Sequence, residues 1–200
     1  MRVSRQQAEK NREHVIDVAS RLFRERGFDG IGLSDLMNAA GLTRGAFYGQ
    51  FRSKADLEVR SSERAINENL YKLRQAVSAD AARPLLALVT YYLSTTHRDA
   101  TAGGCALAAL GPDAAREGQH VRSVFTCGIE AHLELFRDVL GASAKPSGFD
   151  DAVGVLATLV GAIVLARTIN DDALSREVLA AATRTLVTHY SSELGSDTNA

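Results

Sequence analysis

The sequence has few of the residues that cross-link, break or anchor a chain. Two cysteines among 200 residues are too few for a disulfide scaffold or a cysteine-based zinc site. The three prolines, Pro84, Pro112 and Pro146, each lie near a predicted helix boundary and favour an all-helical chain. The most apolar stretch, 152–166, has only 15 residues, so we expect no membrane span. The polar N-terminus does not resemble a signal peptide, which predicts a cytoplasmic protein with reduced thiols.

An excess of charge of one sign is also missing, but the charge is unevenly distributed. The chain has a formal net charge of −1 and 46% hydrophobic residues, enough for a proper core. Residues 1–60 carry eleven Lys/Arg and eight Asp/Glu, whereas residues 61–200 carry twelve and sixteen. A basic head on an acidic body favours contact with nucleic acid through the head alone.

Motifs typical of catalysis are not found. There is no glycine-rich phosphate loop, no nucleophile elbow and no metal-binding histidine pair, and the five histidines are scattered. We therefore predict a non-enzyme with no cofactor and no metal site. His132 differs from the other histidines because it lies beside the apolar face of a predicted helix, where it is placed to contribute one polar group to a cavity.

The segment 34–54 shows the most specific pattern in the chain. It reads as two short helices joined by a glycine turn: Ser34 is placed to cap the first helix, Gly41 to end it, and Thr43 to cap the second. The apolar residues of the first helix that share a face are Leu36, Met37 and Ala40. Two short helices in this arrangement are typical of a unit that reads the major groove of DNA.

The second of these helices has an apolar and a polar face. Phe47 and Phe51, four residues apart, are expected to anchor it to the core. Arg44 matches guanine O6 and N7 or a phosphate, and Gln50 matches adenine or a phosphate. A cation and uncapped N–H groups at helix starts favour phosphate contacts for Lys54 and Thr43. The residues predicted to contact DNA are Ser34, Thr43, Arg44, Gly45, Tyr48, Gln50 and Lys54.

Residues 15–57 resemble the TetR family of bacterial repressors. The features that carry the resemblance are the amphipathic first helix, the Phe23-Arg-Glu-Arg-Gly27-Phe28 break, the Leu33-Ser34 entry, the Ala40-Gly41-Leu42-Thr43 turn, Gly45-Ala46-Phe47-Tyr48, Phe51 and Lys54. Gly49 and Gln50 depart from the pattern, because many members have an aromatic or polar residue followed by His there. Contacts made by relatives at these two positions therefore cannot be transferred.

The resemblance implies an all-α fold of about nine helices in two domains. Residues 1–55 would form a three-helix DNA-binding domain, residues 56–195 a helical effector-binding and dimerisation domain, and residues 196–200 a disordered tail. The implied function is a homodimeric repressor that binds a palindromic double-stranded operator. A small molecule would enter the body, shift the fourth helix and release the DNA.

Helical periodicity and boundary residues predict where the helices lie. The predicted ranges are Glu9–Arg26, Ser53–Val77, Pro84–His97, Cys105–Leu110, Val121–Leu140, Phe149–Ile169 and Leu174–Leu194, with a loop at Gly141–Gly148. The predicted pocket residues are Tyr91, Tyr92, Phe125, His132, Phe136 and Arg167.

The two C-terminal helices are the predicted dimer interface. Small residues recur on a helix that is otherwise apolar nearly all round, and such a helix is buried on several sides. Ordinary packing within one chain is the alternative. The predicted interface residues are Gly154, Ala157, Gly161, Val164, Leu186 and Tyr190.

Cys105 supports a second hypothesis. It follows Gly103 and Gly104 and opens a predicted helix, where the helix dipole favours a thiolate and the glycines are expected to leave the sulfur accessible. The alternative function is therefore a DNA-binding regulator that senses oxidants or electrophiles through Cys105. A small buried core cysteine is the competing interpretation, and we expect Cys127 to be a packing residue. A helical enzyme or interaction protein without selective DNA binding is a further alternative.

Overall fold

The computed structural model describes residues 4–141 and 148–196, and within these ranges it contains ten α-helices, a 3-10 turn at Thr101–Gly103 and no strand. The α-helices are α1 Arg5–Arg26, α2 Leu33–Ala39, α3 Arg44–Tyr48, α4 Lys54–Ala79, α5 Pro84–Tyr92, α6 Thr95–Asp99, α7 Ala106–Ala114, α8 Gln119–Val139, α9 Gly148–Thr168 and α10 Asp172–Ser196. The all-α prediction is confirmed. Most of the predicted 141–148 loop lies outside the described residues, as does the predicted tail beyond Ser196.

α1 begins and ends at residues with clear physical roles. Ser4 accepts a hydrogen bond from the Gln7 N–H at 3.2 Å, so the helix starts four residues earlier than predicted. Gly27 ends it with a φ of +76°, and its N–H donates to the Phe23 carbonyl. The buried stripe of α1 includes Val15, Ala19 and Phe23.

α4 starts with the capping arrangement that its sequence predicts. The Ser53 hydroxyl accepts from the Asp56 N–H at 3.1 Å, and the Asp56 carboxylate accepts from the Arg52 N–H at 3.1 Å. Two N–H groups at the start of the helix therefore have partners. The helix then continues to Ala79, two residues beyond the predicted end.

Two helix boundaries differ from the predictions. The helix predicted from Pro84 to His97 is broken into α5 and α6, because Ser94 has an extended backbone and caps α6 by accepting from the His97 N–H at 3.1 Å. α7 continues through Pro112 rather than ending at Leu110. The proline removes only one N–H from the helix, and the helical hydrogen bonding continues beyond it, where Ala115 donates to Gly111.

The chain divides into two compact units. Unit 1 comprises Met1–Glu68 and Thr101–Gly128, and unit 2 comprises Asn69–Ala100 and Ile129–Ala200. α4 and α8 each contribute residues to both units. The functional boundary at residues 55 and 56 stays a prediction.

Each unit has its own apolar core. In unit 1, the rings of Phe23 and Phe28 meet edge to face with centroids 5.3 Å apart, and both side chains are buried. The large buried residues of unit 2 include Leu88, Tyr92, Phe136, Leu159 and Ile163.

α9 is longer than its apolar stretch suggested. Among the described residues it is the one helix long and apolar enough to cross a membrane by length and composition, so the expectation that this segment is too short is wrong. The helix gains length because Gly148–Asp151 and Arg167–Thr168 are also helical. A core helix of a soluble protein passes the same test, and this property alone is weak evidence for a membrane.

Candidate DNA-binding surface and sensor residues

The turn between α2 and α3 has the predicted left-handed residue. Gly41 has a φ of +67°, and the Leu42 N–H donates to the Met37 carbonyl at 2.9 Å. Residues other than glycine rarely adopt this left-handed backbone conformation, so the predicted role of Gly41 in ending α2 is confirmed.

Aromatic packing fixes the inner face of α3. Phe47 and Phe51 are 1% and 3% exposed, and their rings stack with centroids 5.3 Å apart. The Arg12 guanidinium of α1 lies 5.7 Å from the Phe51 centroid. The predicted anchoring of this helix is confirmed, and its other face points away from the core.

The outer face of α3 carries exposed hydrogen-bonding groups. Thr43, Arg44 and Gly45 are exposed, and Tyr48 is 63% exposed with its ring edge packed on Phe47. The Thr43 side chain makes no capping bond, so it leaves the first N–H groups of α3 without a side-chain partner. Within the described ranges, Arg44 has neither a hydrogen bond nor an ion pair. This face therefore offers a guanidinium, a phenol, a hydroxyl and helix-start N–H groups to an external ligand.

The two glycines of this helix are not required by the fold. A Cβ added at Gly45 would meet Thr43 Oγ1 at 3.8 Å, and one added at Gly49 would meet the Ala46 carbonyl at 3.7 Å. Both are ordinary contact distances. Gly45 lies inside α3, where glycine lowers helix stability by about 1 kcal/mol relative to alanine, whereas Gly49 is the C-cap. The small size of both residues favours close approach by something outside the chain.

Ser34 does not have the capping role expected of it. α2 begins two residues earlier than a Ser34 cap implies, because its N-cap is the extended Gly32 and its first residue is Leu33, and it has no side-chain cap bond. Ser34 therefore lies inside the first turn with its side chain exposed. Its contact with DNA stays a prediction.

Gln50 is oriented differently from a base-reading glutamine. Its side-chain oxygen is buried and receives no hydrogen bond from the described residues. Bidentate reading of adenine needs both the amide oxygen and the amide NH2 group. This arrangement therefore does not support the predicted adenine contact.

Lys54 is directed into the protein instead of outward. Its Nζ donates to the Phe28 carbonyl at 2.5 Å and lies 3.5 Å from Glu58 Oε1, and its side chain is 31% exposed. Burial raises the pKa of Glu58, and the nearby ammonium opposes that shift. The structure thus gives Lys54 an internal role and does not support the predicted phosphate contact. The sequence did not predict the bond from Lys54 to the Phe28 carbonyl, because the two residues are 26 positions apart.

The predicted pocket residues lie mostly in unit 2, whereas Phe125 lies in unit 1. Tyr91 and Tyr92 both pack on the buried His97, with ring centroids 5.6 and 4.7 Å away. Arg167 donates to the carbonyls of Arg98 and His97 at 2.8 and 3.1 Å, so it holds the end of α6. Burial lowers the pKa of His97, although the hydrogen bond to the Tyr92 carbonyl opposes this effect.

His132 is fully buried and has a polar partner. Its Nε2 lies 3.0 Å from Oδ1 of Asn69, and its ring meets Phe136 edge to face at 6.1 Å. Asn69 and His97 were not among the predicted pocket residues. Asn69 interrupts the apolar stripe of α4 between Ile66 and Leu73, a signal that a closer examination of the periodicity could have found.

The two cysteines differ in exposure. Cys105 is the N-cap of α7, as its position suggested, and it is 0% exposed, so its interpretation as a small buried cysteine is confirmed and the expectation of an accessible sulfur is wrong. Gly104 does not open a path to it, because Gly104 is itself buried and its carbonyl accepts from the buried Arg24. Cys127 is exposed. A sensor role for Cys105 stays a prediction.

The predicted interface residues fall into two groups. Leu186 and Tyr190 are buried within the chain, and a Cβ at Gly154 would meet the Tyr190 hydroxyl at 3.0 Å. Gly154 and Tyr190 therefore serve packing between α9 and α10, and Leu186 is buried in the same chain, so the structure does not support the use of these three residues at a dimer interface.

The remaining three lie on an exposed stripe of α9. Ala157 is exposed, Val164 is 40% exposed, and an added Cβ at Gly161 would meet no atom within 4 Å. Other apolar residues exposed on α9 are Phe149, Val153 and Leu165. An apolar stripe of this length on a helix surface is typical of an interface.

Comparison with known proteins bears on the same region. Residues 15–58 match the family model described as bacterial regulatory proteins, tetR family. The chain is 45% identical over 56 residues to the HTH-type transcriptional regulator AcrR of Shigella flexneri, covering 28% of this chain and 26% of that protein. It is 30% identical over 132 residues to the HTH-type transcriptional repressor NemR of Escherichia coli K12, covering 64% of this chain and 66% of NemR.

The similarity of fold extends over nearly the whole chain. The crystal structure of the reduced form of E. coli NemR superposes with a TM-score of 0.75 at 24% identity, covering 90% of this chain and 97% of that one. The aligned sequence spans less than two thirds of AcrR and just under two thirds of NemR.

Proposed function

Because this chain belongs to the TetR family of bacterial regulatory proteins, we propose that it is a cytoplasmic transcriptional repressor that binds a palindromic operator as a homodimer. A small-molecule effector releases it from the DNA. The observation that carries this proposal is the outer face of α3, where Arg44 and Tyr48 are exposed on a helix fixed from behind by Phe47 and Phe51.

Major-groove reading needs a rigid helix that presents donors outward. The stacked pair of phenylalanines supplies the rigidity, since both rings are buried in unit 1. The guanidinium of Arg44 has the fork geometry that matches guanine, and the Tyr48 hydroxyl and the α3 start suit phosphate oxygens. Gly45 and Gly49 permit close approach to the groove.

Dimerisation would supply the second recognition helix. Burial of the exposed apolar stripe of α9 against a second copy would be favourable, and Gly161 permits a partner helix to approach closely. A two-fold interface would place two copies of α3 about one DNA turn apart, roughly 34–36 Å, on a palindrome.

Release by an effector requires a difference in affinity between two conformations. The effector must bind the released conformation better than the DNA-bound one, with a coupling of about 1–3 kcal/mol. We place its site in the body, near the buried polar groups His97 and His132 of unit 2. In this mechanism α4 shifts and changes the separation of the recognition helices.

The second candidate is a thiol-triggered regulator acting through Cys105. Two observations favour it: Cys105 sits at the start of α7, and a buried guanidinium from Arg24 bonds the carbonyl of the preceding residue. Both features stabilise a thiolate. Complete burial of Cys105 opposes it, and for this reason the reversible effector is the primary proposal.

Selection from a random duplex DNA pool tests the proposed function. The purified chain should enrich one palindromic sequence, and binding to that duplex should weaken steeply with salt because phosphate contacts release counterions. Double-stranded DNA of shuffled sequence is the matched control. A helical enzyme or interaction protein would enrich no sequence, and that result would refute the proposal.

A further inference from the structure

A buried arginine joins the last turn of α1 to the segment before α7. Arg24 is 4% exposed, and its guanidinium donates to the Ser20 carbonyl at 2.9 Å, to the Ser20 hydroxyl at 3.0 Å and to Glu68 at 2.9 Å. Its remaining bond is to the carbonyl of Gly104, 80 residues away, at 3.1 Å. A buried cation is unfavourable unless it is paired and fully hydrogen-bonded, and it fixes geometry in a way that an apolar side chain does not.

A second polar contact lies at the other end of α7. The Asp113 Oδ2 atom accepts from the Phe28 N–H at 3.3 Å, directly after the residue that ends α1. The same oxygen would lie 2.6 Å from a Cβ added at Gly27, where φ is +76°. The carboxylate of α7 therefore contacts the corner at which the chain leaves α1 for α2.

These contacts hold both ends of one helix. Gly104 precedes the N-cap of α7 and Asp113 lies in its last turn, so the two contacts are separated by most of the length of the helix. The peptide units at the corner are also held from α4, because the Phe28 carbonyl accepts from Lys54. All these groups belong to unit 1, so a helix from the middle of the sequence is fastened to the DNA-reading elements.

We propose that Arg24 and Asp113 are positioning residues that fasten α7 to the α1–α2 corner, so that α7 and the DNA-reading helices move as one body. This proposal rests on the proposed function for its regulatory meaning. A displacement of α7 is then passed to α2 and α3 through two polar contacts. Neither residue touches DNA in this account; both act through the position of α3.

Hydrogen exchange on the full chain tests the fastening without any ligand. Asp113→Ala should raise the exchange rate of the Phe28 amide and of peptides covering residues 24–36 by roughly tenfold, because that amide loses its acceptor. Asp113→Asn keeps an acceptor oxygen and should restore most of the protection. Arg116→Ala is the matched control, since it removes the other, exposed partner of Asp113 and leaves the bond to Phe28.

Binding to the duplex selected by the wild-type chain tests the coupling. Asp113→Ala should weaken binding roughly tenfold, a loss that Asp113→Asn rescues and Arg116→Ala does not reproduce. Arg24→Lys keeps the charge and loses the fork, and its effect should be less than additive with Asp113→Ala because both act on one helix.

Three results would overturn the proposal. Unchanged exchange in Asp113→Ala would show that the corner is not held by this bond. Faster exchange with unchanged DNA affinity would show that the contact is purely structural. Equal losses of DNA affinity in Asp113→Asn and Asp113→Ala would show that the bond to the Phe28 amide does not carry the effect. If the wild-type chain selects no DNA, the proposed function fails, and the exchange measurement still decides whether α7 is fastened.

Discussion

Arg44 occupies the first position of α3, its side chain is exposed, and it has no hydrogen bond or ion pair with the described residues, whereas Phe47 and Phe51 are buried. An arginine without an ion pair to the described residues does not add stability through ion pairing with them. Its fork is therefore available for a base edge or a phosphate.

We predict that Arg44→Ala weakens binding to the selected duplex and relaxes base preference at one position, because a bidentate contact to guanine discriminates by about 1–3 kcal/mol. The thermal unfolding midpoint should stay the same. Arg74→Ala, which removes an exposed arginine of α4 in unit 2, is the control for lost charge. Equal losses in the two variants, measured by fluorescence anisotropy, would remove Arg44 from the base contacts.

The cysteines give a second prediction at this scale. Cys127 is exposed and Cys105 is fully buried, so N-ethylmaleimide should label Cys127 in the native protein and reach Cys105 only after unfolding. Mass spectrometry of a labelling time course reads both sites. If Cys105 is modified in the native state and the modification releases DNA, the thiol-triggered mechanism replaces the reversible effector.

At the scale of elements, α5 and α6 are joined by a buried histidine whose charge state is coupled to stability. Burial lowers the pKa of His97 below its ordinary value of 6.5, and the positive charges of Arg167 and Lys72 lower it further. The unfolded chain therefore binds this proton more readily than the folded chain. Stability contributed by neutral His97 is present above pH 6.5 and is lost as the pH falls toward the lowered pKa.

We expect the free energy of unfolding to fall as the pH is lowered through 6.5, with part of this slope arising from His97. His97→Asn keeps a donor for the Tyr92 carbonyl and does not titrate, so it should reduce the slope. Denaturant unfolding at several pH values measures the slope of the unfolding free energy against pH. His120→Gln changes an exposed histidine of α8 and is the control; an identical slope in wild type and His97→Asn would contradict the assignment.

How far the elements could be predicted depended on where their partners lie. Ser53, Gly27 and Gly41 act on N–H and C=O groups within a few residues, and the helix ends they set were predicted to within a few positions. Lys54 and Arg24 were not understood from the sequence, because their acceptors are 26 and 80 residues away. The small residues on α9 did not all belong to the predicted dimer interface, since Gly154 faces Tyr190 within the chain whereas Gly161 faces open space.

At the scale of the whole molecule, the proposed dimer depends on the exposed stripe of α9. We predict that Gly161→Leu leaves the isolated chain folded, because an added Cβ there meets no atom within 4 Å, but disrupts a closely packed partner helix. Overpacking of this kind costs about 1–3 kcal/mol. Sedimentation equilibrium should show a weakened dimer.

Gly118→Leu is the matched control for this substitution, since Gly118 also has open space and lies outside the stripe. DNA affinity should fall with Gly161→Leu and not with Gly118→Leu, because two recognition helices must bind together. A Gly161→Leu dimer of undiminished affinity would move the interface away from this stripe.

Hydroxyl-radical footprinting of the selected duplex tests most directly whether two copies of α3 read one operator. We predict two protected segments related by a two-fold axis, with centres about one helical turn apart, roughly 34–36 Å, or a multiple of that distance. A single protected segment, or uniform protection along the duplex, would contradict the dimeric operator-binding account.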